Sequence, residues 1–427
     1  MSIRESETQD LKLADAPNGT LFSGYTVLTK AMIGVGMLTL YKALGDSGWV
    51  WGMIITVVSP IVMLFSLHLL ACLASDYKAT LPEDSRLDLS YYKVASRLSK
   101  PSALVLEAGV IITSFLSAVA YSVVSGSMTF VLLESWGFPG ATKDNKDLFT
   151  VFIKLVIGGA LAPLCYLKEI KKTTIPNAIA IGCLLYIVCY AMFMADPYGE
   201  KNTSQSDMMY AKSWEHVIVS IPKFLFAYCC AQNLFGVANE TASFSVRRLD
   251  VMAALATLTS IIFNFACSIF PFMTFGRAGS LDGNFISKYQ DDESVASHLV
   301  RLAAVFQVSV GFVLVLHPLR ASFVGIAQRI PAVKDKSEVY VRYLAATAAL
   351  ILALVVSLAL RDDLGLAIDL GGLIGANLMC FIIPCYLYCI SRERSKYPIT
   401  WVSAATLLVV GAILCPLGIY AVFATKE

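Results

Sequence analysis

The chain has 427 residues, of which 57% are apolar and 15% charged, with a mean hydropathy of +0.68 and a formal net charge of +2. Soluble domains carry about 25% charged residues. Charged residues this sparse cannot cover the surface of a soluble protein of this size. We therefore expect much of the chain to be surrounded by the lipid bilayer. The near-neutral balance gives no indication of a nucleic acid partner.

The N-terminal segment, residues 1–20, is polar and contains Arg4, Glu5, Asp10 and Lys12. It lacks the apolar core of a cleavable signal peptide. We therefore expect a cytosolic N-terminal tail and a first membrane helix that directs insertion by itself.

Eleven apolar runs follow in chain order. A helix that crosses the hydrocarbon core needs about 20 mostly apolar residues, and each run meets this requirement. The predicted spans are 21–44, 47–73, 101–134, 149–168, 172–195, 214–239, 250–275, 295–328, 340–360, 364–390 and 399–424. Between the second and third, residues 86–100 predict either an amphipathic helix on the inner membrane surface or a solvated loop.

Basic residues decide the predicted orientation. They concentrate in alternate connections, such as 78–100, 168–172 and 392–396, whereas the intervening connections carry acids such as Asp144 and Glu200. By the positive-inside rule the basic connections are cytosolic. The N-terminus is then predicted to be cytosolic and the C-terminus extracytosolic.

The motifs of common enzyme classes are missing from the sequence. There is no G-x-x-x-x-G-K-[ST], no G-x-S-x-G, no H-E-x-x-H and no paired-cysteine zinc pattern. The four histidines have no neighbouring histidine or carboxylate at the spacing of metal ligands. We expect no catalytic residue, no metal and no cofactor, which leaves transport as the main function class.

Two spans contain interruptions in corresponding places. The first has Gly34 and Gly36 around Val35 at its centre, and the sixth has the small, polar stretch 229–233 followed by Gly236. Glycine weakens a helix by about 1 kcal/mol relative to alanine, although it also permits close packing of two membrane helices. Because each span begins a set of five, the pair is typical of transporters with two inverted five-helix repeats, in which freed amides and half-helix ends bind substrate.

The same stretches resemble the amino acid/auxin permease (AAAP) family. TKAMIGVGMLTLYKALGDSGW is similar to the family's first helix, although Tyr41 stands at the usual proline. SYYKVASRLSKP, AVAYSVVSGSM, PLCYLKEIKKTT, FAYCCAQNLFGVANE, HPLR and GGLIGANLMCFIIPCYLYCISRER resemble later family segments in the family's order. The resemblance covers nearly the whole chain.

The resemblance implies an all-α, eleven-helix LeuT-like fold and transport of amino acids by alternating access. The repeats would be 21–195 and 214–390, joined by an extracytosolic loop at 196–213, with 399–424 as an additional helix. The residues expected to bind the substrate are Thr29, Ile33, Gly34, Val35, Gly36, Met37, Tyr121, Phe226, Cys229, Cys230 and Phe312.

Lys30 is the most unusual charge in the spans. A lysine at the bilayer centre costs roughly 2.5–3.5 kcal/mol on insertion scales, unless its stem reaches the cytosolic interface. The resemblance implies a further role, because proton-coupled members have a lysine where sodium-coupled members have an asparagine. The ammonium would then occupy the place of sodium, with Ser309 as its partner on the eighth span.

Three acids in or near the spans have two interpretations each. Glu107 is either a proton-relay carboxylate or an acid at the cytosolic interface. Glu240 is either a gate that pairs with Arg247 or Arg248, or a solvated helix end. Asp369 is expected to be an interface charge.

Rival functions of the same fold stay open at this point. One is a sodium-coupled amino acid symporter, and another is a sensor that binds amino acids without transport. A transporter of metal ions is disfavoured because neither interruption contains a carboxylate. The membrane is expected to be the plasma membrane or that of a vacuole or lysosome.

Overall fold

The computed structural model describes residues 17–82, 87–167, 169–196, 208–279, 284–289, 292, 294–334, 336–360 and 364–425. Within these residues the chain is helical, and no strand occurs beyond an isolated bridge between Gly19 and Thr241. The main helices are α1 (Leu21–Met32), α2 (Leu40–Lys78), α3 (Tyr91–Ser96), α4 (Lys100–Ser135), α5 (Lys146–Cys165), α6 (Thr174–Phe193), α7 (Trp214–Tyr228), α8 (Ala231–Glu240), α9 (Val246–Gly279), α10 (Val295–Ala327), α11 (Pro331–Lys334), α12 (Glu338–Ala359), α13 (Leu364–Leu370), α14 (Ile383–Ser391) and α15 (Pro398–Ala424). Short 3-10 helices at Val35–Thr39 and Ile170–Thr173 precede α2 and α6, and π-helical turns at Gly371–Ala376 and Leu378–Ile382 connect α13 to α14. The predicted all-α architecture is confirmed.

Ten helical stretches of the described chain are long and apolar enough to cross a membrane. The first, Leu21–Lys78, has 58 residues, whereas one crossing needs about 20. Its backbone leaves the helical region at Gly48, where φ is 70°, close to the predicted boundary between the first two spans. The other nine stretches match the remaining predicted spans, and the total of eleven crossings stays a prediction.

Side-chain caps fix the starts of several helices. Thr20, Ser99 and Ser294 each accept a hydrogen bond from the backbone amide three residues later, at the N-termini of α1, α4 and α10. Such caps stabilise a helix by roughly 1 kcal/mol because the first amides have no intrahelical partner.

Large apolar side chains point away from the bundle along most spans. Examples are Ile61 on α2, Phe152 on α5, Ile175 on α6 and Ile399 on α15, all of them exposed. In water such faces would associate, whereas in lipid they are solvated. The interior of the bundle is formed mainly by α1, α4, α7, α8, α10 and the stretch from α13 to α14, whose residues are largely buried.

The segment 86–100 contains a shorter helix than predicted. Arg86 lies outside the described residues, and α3 spans only Tyr91–Ser96. Tyr91 is buried, donates its hydroxyl hydrogen to the carbonyl of Ala231 and stacks on Phe235 with ring centroids 4.3 Å apart. The helix therefore packs against α8 and is anchored to the bundle through Tyr91.

Candidate functional site

Both predicted interruptions are present in the backbone. α1 ends at Met32, Ile33 and Gly34 have non-helical dihedral angles, and the chain resumes as a 3-10 helix at Val35. α7 ends at Tyr228, Cys229 is extended, and α8 begins at Ala231. Each interruption leaves backbone amides and carbonyls outside a regular helix, where they can bind the charged ends of a small molecule.

A cavity lies between the two interruptions, with about 280 Å³ of empty space when its open side is included. Its lining consists of small, neutral side chains, one amide and two aromatic rings: Ala31, Gly34, Val35, Gly36, Thr113, Ser117, Tyr121, Phe226, Cys229, Gln232 and Val315. Six of the eleven predicted substrate-binding residues are in this set. The five that are not are Thr29, Ile33, Met37, Cys230 and Phe312.

The glycines of the first interruption are required by close contacts. A Cβ atom on Gly34 would collide with the hydroxyl of Tyr121, and one on Gly36 would lie 2.8 Å from the Cα atom of Ala227. The second neighbour is backbone and cannot rotate away. Gly34 and Gly36 thus allow the first interruption to approach α4 and α7 closely.

Tyr121 belongs to a stripe of polar residues on α4. Thr113, Ser117 and Tyr121 are four residues apart and therefore share one helix face. The hydroxyl groups of Thr113 and Ser117 donate to carbonyls of their own helix, 2.8 and 2.7 Å away. A facing stripe on α10 consists of Gln307, Gly311 and Val315, and the missing side chain of Gly311 makes room for the Tyr121 ring.

The remaining predicted residues lie around the cavity. Thr29, Met37 and Cys230 are buried among neighbouring helices, and the carbonyl of Ile33 faces Lys30. Phe312 lines a separate cavity, which Tyr121 also borders and which has about 250 Å³ of empty space when its open side is included. Five lining residues were not predicted to bind substrate: Ala31, Thr113, Ser117, Gln232 and Val315. The four-residue spacing of Thr113 and Ser117 to Tyr121, and of Val315 to Gly311, was a signal in the sequence that could have identified three of them.

Lys30 is fully buried next to the first interruption. Its Nζ atom lies 3.3 Å from Oε1 of Gln307, 3.5 Å from the carbonyl oxygen of Ile33 and 5.4 Å from the centroid of the Tyr121 ring. Among the described residues no carboxylate oxygen lies within 4.0 Å of this nitrogen. A carbonyl, an amide oxygen and an aromatic face therefore surround the lysine.

The structure places two other expected coupling residues elsewhere. Ser309, expected as the partner of Lys30, donates its hydroxyl to the carbonyl of Val305 at 2.8 Å and lines the cavity of Phe312. Gln307, two residues earlier, occupies the partner position because it lies on the face of α10 that meets α4. Glu107 forms an ion pair with Arg329 at 2.6 Å, and both of its interpretations stay predictions.

Glu240 closes the end of the bundle that is predicted to face the cytosol. Its two carboxylate oxygens accept hydrogen bonds from the amides of Ile170 and Lys171, both at 2.6 Å. Its own carbonyl accepts from the amide of Gly19 at 2.7 Å. Arg248 instead donates to the carbonyls of Ala242 and Ser243, so the carboxylate caps the 3-10 helix before α6.

Asp369 is part of a charge cluster at the opposite end. The Nζ atom of Lys223 on α7 lies 3.3 Å from a carboxylate oxygen of Asp46 and 3.3 Å from one of Asp369. Lys223 is 4% exposed, while Asp46 and Asp369 are 21% and 17% exposed. Asp369, expected as an interface charge, pairs with Lys223, a buried lysine that was not among the predicted site residues.

Comparisons with known proteins decide the family. The model of the family described as transmembrane amino acid transporter protein matches residues 17–424. The chain belongs to this family. The resemblance to the AAAP family is thereby confirmed, and the chain is a member of an amino acid transporter family.

Two curated relatives and one solved structure are similar over most of their length. Vacuolar amino acid transporter 5 of Schizosaccharomyces pombe is 28% identical over 88% of this chain and 86% of its own length. Sodium-coupled neutral amino acid symporter 2 of Danio rerio is 21% identical over 91% of this chain and 79% of its own. The crystal structure of MhsT in complex with L-phenylalanine superposes with a TM-score of 0.65 at 13% identity, over 94% of this chain and 98% of that one. This likeness shows that the fold is LeuT-like.

Proposed function

We propose that this transporter-family member carries amino acids across the membrane by alternating access, without sodium and with a proton as co-substrate. The observation that carries the proposal is the position of Lys30. Its ammonium lies against the carbonyl of Ile33 and the amide of Gln307, at the edge of the interruption that lines the central cavity. Oxygen atoms and an aromatic face in this arrangement suit a small cation, and the chain supplies that cation itself.

Electrostatics explains why sodium and Lys30 exclude one another. Two unit charges 4 Å apart repel by about 4 kcal/mol at an effective dielectric constant of 20. No described carboxylate offsets a second positive charge at Lys30. A sodium ion therefore cannot share the site, and the gradient that drives accumulation must come from another ion, for which the proton is our proposal.

The substrate site is the cavity between the interruptions. The freed backbone groups near Gly34 and Cys229 bind the carboxylate and the amine of the substrate, as half-helix ends do in transporters of this design. The side-chain end then meets Thr113, Ser117, Val315 and Gln232. Because the recorded lining of the cavity contains no carboxylate, lysine, arginine or histidine, its chemistry suits an uncharged side chain.

Alternating access would move the interrupted helices α1, α7 and α8 against α4, α5, α10 and α12. The contacts of Glu240 and Gly19 close one end, and the Lys223 cluster lies at the other. A substrate shifts the equilibrium only through contacts that differ between states. Backbone atoms at both interruptions supply such contacts because their positions change when the half-helices rotate.

The name of the fission-yeast relative supports a vacuolar membrane. We propose this location, with the N-terminus in the cytosol and the outer end of the bundle facing the acidic lumen. Co-localisation of a tagged chain with a vacuolar marker tests it, and exclusive staining of the cell surface would contradict it.

Uptake of labelled amino acids into proteoliposomes tests transport itself. A panel of neutral, acidic and basic amino acids should give concentrative uptake of at least one neutral substrate under an imposed proton gradient. Binding of an amino acid without uptake under any gradient would instead identify a sensor. A variant with Gly36→Leu, in which the side chain would meet the backbone of α7, is the inactive control.

A further inference from the structure

The Lys223 cluster joins three separate helices. Asp46 follows the 3-10 helix of the first interruption, Lys223 lies on α7 and Asp369 on α13. The ammonium also donates to the carbonyl of Val219 at 3.1 Å. The cluster is nearly buried, so its charges interact more strongly than a surface ion pair does.

The cluster lies directly beyond the central cavity. Lys223 is three residues from Phe226, which lines the cavity, and therefore lies one helical turn away on the same face of α7. Two residues after Asp369, a Cβ atom on Gly371 would lie 2.6 Å from the Phe226 ring. At Gly372 it would collide with the carbonyl of Pro222. The segment after α13 therefore packs closely against α7 beside Phe226. It covers the cavity at the end that is predicted to face the outer compartment.

Other charged groups around the cluster are cationic. Lys42, one helical turn before Asp46, interacts electrostatically with the Asp369 carboxylate. Arg277 at the end of α9 donates to the carbonyl of Gly45 at 3.0 Å and to that of Tyr210. No further carboxylate is recorded within ion-pair distance of Lys223 in the described part of the chain.

Two carboxylates share one ammonium, and their positions are not equivalent. Asp46 and Lys223 belong to the two interrupted helices, whereas Asp369 belongs to the helix that covers the cavity. If Asp369 becomes neutral, Lys223 keeps Asp46 as a partner, so no buried charge is left unpaired. Loss of a single charge then removes the attraction between α7 and α13 without the large penalty of an isolated buried ion.

We propose that the cluster of Lys223, Asp46 and Asp369 is a proton-operated outer gate, in which a proton from the outer compartment binds the Asp369 carboxylate. The protonated group no longer attracts Lys223, α13 separates from α7, and the cavity opens to that compartment. Return of the proton to solvent restores the ion pair and closes the gate. The inference uses the proposed cavity as the space that is gated, but its test does not require transport.

Native Cys229 reports on this gate because it lines the cavity. The experiment uses the full chain in proteoliposomes with the outer end turned to the bath and a membrane-impermeant methanethiosulfonate as probe. Labelling in Cys229→Ala is subtracted to remove the contribution of the other ten cysteines. The thiolate is the reactive form, so intrinsic reactivity falls on acidification, and access is therefore read from labelling relative to a reference variant at the same pH.

Asp369→Asn, which is permanently neutral and keeps the same Cys229 thiol, is the reference at each pH. We expect the ratio of wild-type to Asp369→Asn labelling, in which the fall in thiolate cancels, to rise about threefold or more on acidification from neutral to about pH 4, where an aspartate carboxyl gains its proton. Asp369→Asn should be labelled strongly at neutral pH and then only lose reactivity on acidification. Asp369→Glu, which keeps a titratable charge, should recover protection at neutral pH. Asp196→Asn, a change of an exposed outer acid, is the matched control and should behave as the wild type.

A ratio of wild-type to Asp369→Asn labelling that does not rise on acidification, or an Asp369→Asn protein as protected as the wild type at neutral pH, would overturn the gate. Tryptic resistance and monodispersity in detergent establish that each variant is folded. If labelling follows the expectation but no amino acid is taken up, the gate stands and the proposed transport fails. If uptake occurs without the labelling pattern, transport stands and the gate fails.

Discussion

At the residue scale the proposed site depends on Lys30 and on Gly34 and Gly311, whose missing side chains leave space for the Tyr121 ring beside it. The depth of Lys30 in its span was evident from the sequence, and the structure adds its surroundings. Gln307 could have been found only from the four-residue stripe that it forms with Gly311 and Val315. The expectation of Ser309 followed the family resemblance, which locates the helix but not the face that meets α4.

Gly34→Ala tests the first interruption with the smallest possible change. The new Cβ atom would displace the hydroxyl of Tyr121, and overpacking of this kind costs about 1–3 kcal/mol. We expect the affinity for the transported amino acid to fall about fivefold to about a hundredfold, measured by competition uptake. Gly182→Ala, where nothing lies within 4 Å of the new atom, should leave affinity unchanged, and equal affinities in both variants would contradict a functional role of Gly34.

Gln307→Leu tests the partner of Lys30. The substitution removes the acceptor 3.3 Å from the ammonium, and a hydrogen bond to a charged group contributes about 1.5–3 kcal/mol. We expect a lower melting temperature and loss of proton-stimulated uptake. Gln328→Leu, at the exposed C-cap of α10, is the control. Proton stimulation that survives in Gln307→Leu would remove Gln307 from the coupling site.

At the scale of elements, the two ends of the bundle are closed by different chemistry. The inner end uses backbone hydrogen bonds and a carboxylate cap, and the outer end uses an ion cluster. Sequence patterns predicted both interrupted helices because glycine and small polar residues mark them. The partners of Glu240 and Asp369 could not be predicted, because Ile170, Lys171 and Lys223 are brought to them only by the packing of the helices.

Glu240→Gln should weaken the inner closure. The amide retains one acceptor oxygen, so only one of the amides of Ile170 and Lys171 keeps its partner. Loss of a charge-assisted bond of about 1.5–3 kcal/mol should raise labelling of Cys229 from the cytosolic side about tenfold. Glu393→Gln, in an exposed pair with Lys396, is the control. Unchanged cytosolic access in Glu240→Gln would show that this carboxylate does not hold the closure.

Asp292, an acid in a loop that is predicted to face the outer compartment, differs from Asp369 because it is expected to keep its charge at mildly acidic pH. Asp292 accepts a hydrogen bond from the hydroxyl of Tyr190 at 2.7 Å and from the amide of Ser294 at 2.9 Å. These bonds lower the pKa of Asp292 below the usual 3.8. Because its stabilising effect is lost only as pH falls through this lowered pKa, the loop should stay anchored in an acidic lumen.

At the scale of the whole molecule, the spans were predicted from hydropathy and their orientation from the alternation of basic connections. Nine predicted spans coincide with separate helical stretches, and the first two form one stretch that changes direction at Gly48. The interior was harder to predict, since a polar residue on a buried face and one on a cytosolic turn look alike in sequence. The family match places the chain in an amino acid transporter family, and the likeness to a solved structure gives the LeuT-like fold.

The predicted odd number of crossings places the termini on opposite sides. A protease-accessible tag at Met1 should be protected in intact vesicles whose cytosolic face is inside, and a tag after Glu427 should be cleaved. The positive-inside rule is the physical reason, because basic connections remain on the cytosolic side. Cleavage of both tags in the same sealed vesicles would contradict eleven crossings.

Uptake of the best substrate into proteoliposomes, with sodium replaced by choline, tests the central claim most directly. If the Lys30 ammonium stands where a sodium ion would bind, initial rates should be the same in both salts, and an inward proton gradient should raise them. Lys30→Asn should abolish the proton stimulation, because it removes the only cation recorded against Gln307 and Ile33 in the described chain. Strict dependence of the wild type on sodium would contradict the account and return Lys30 to a structural role.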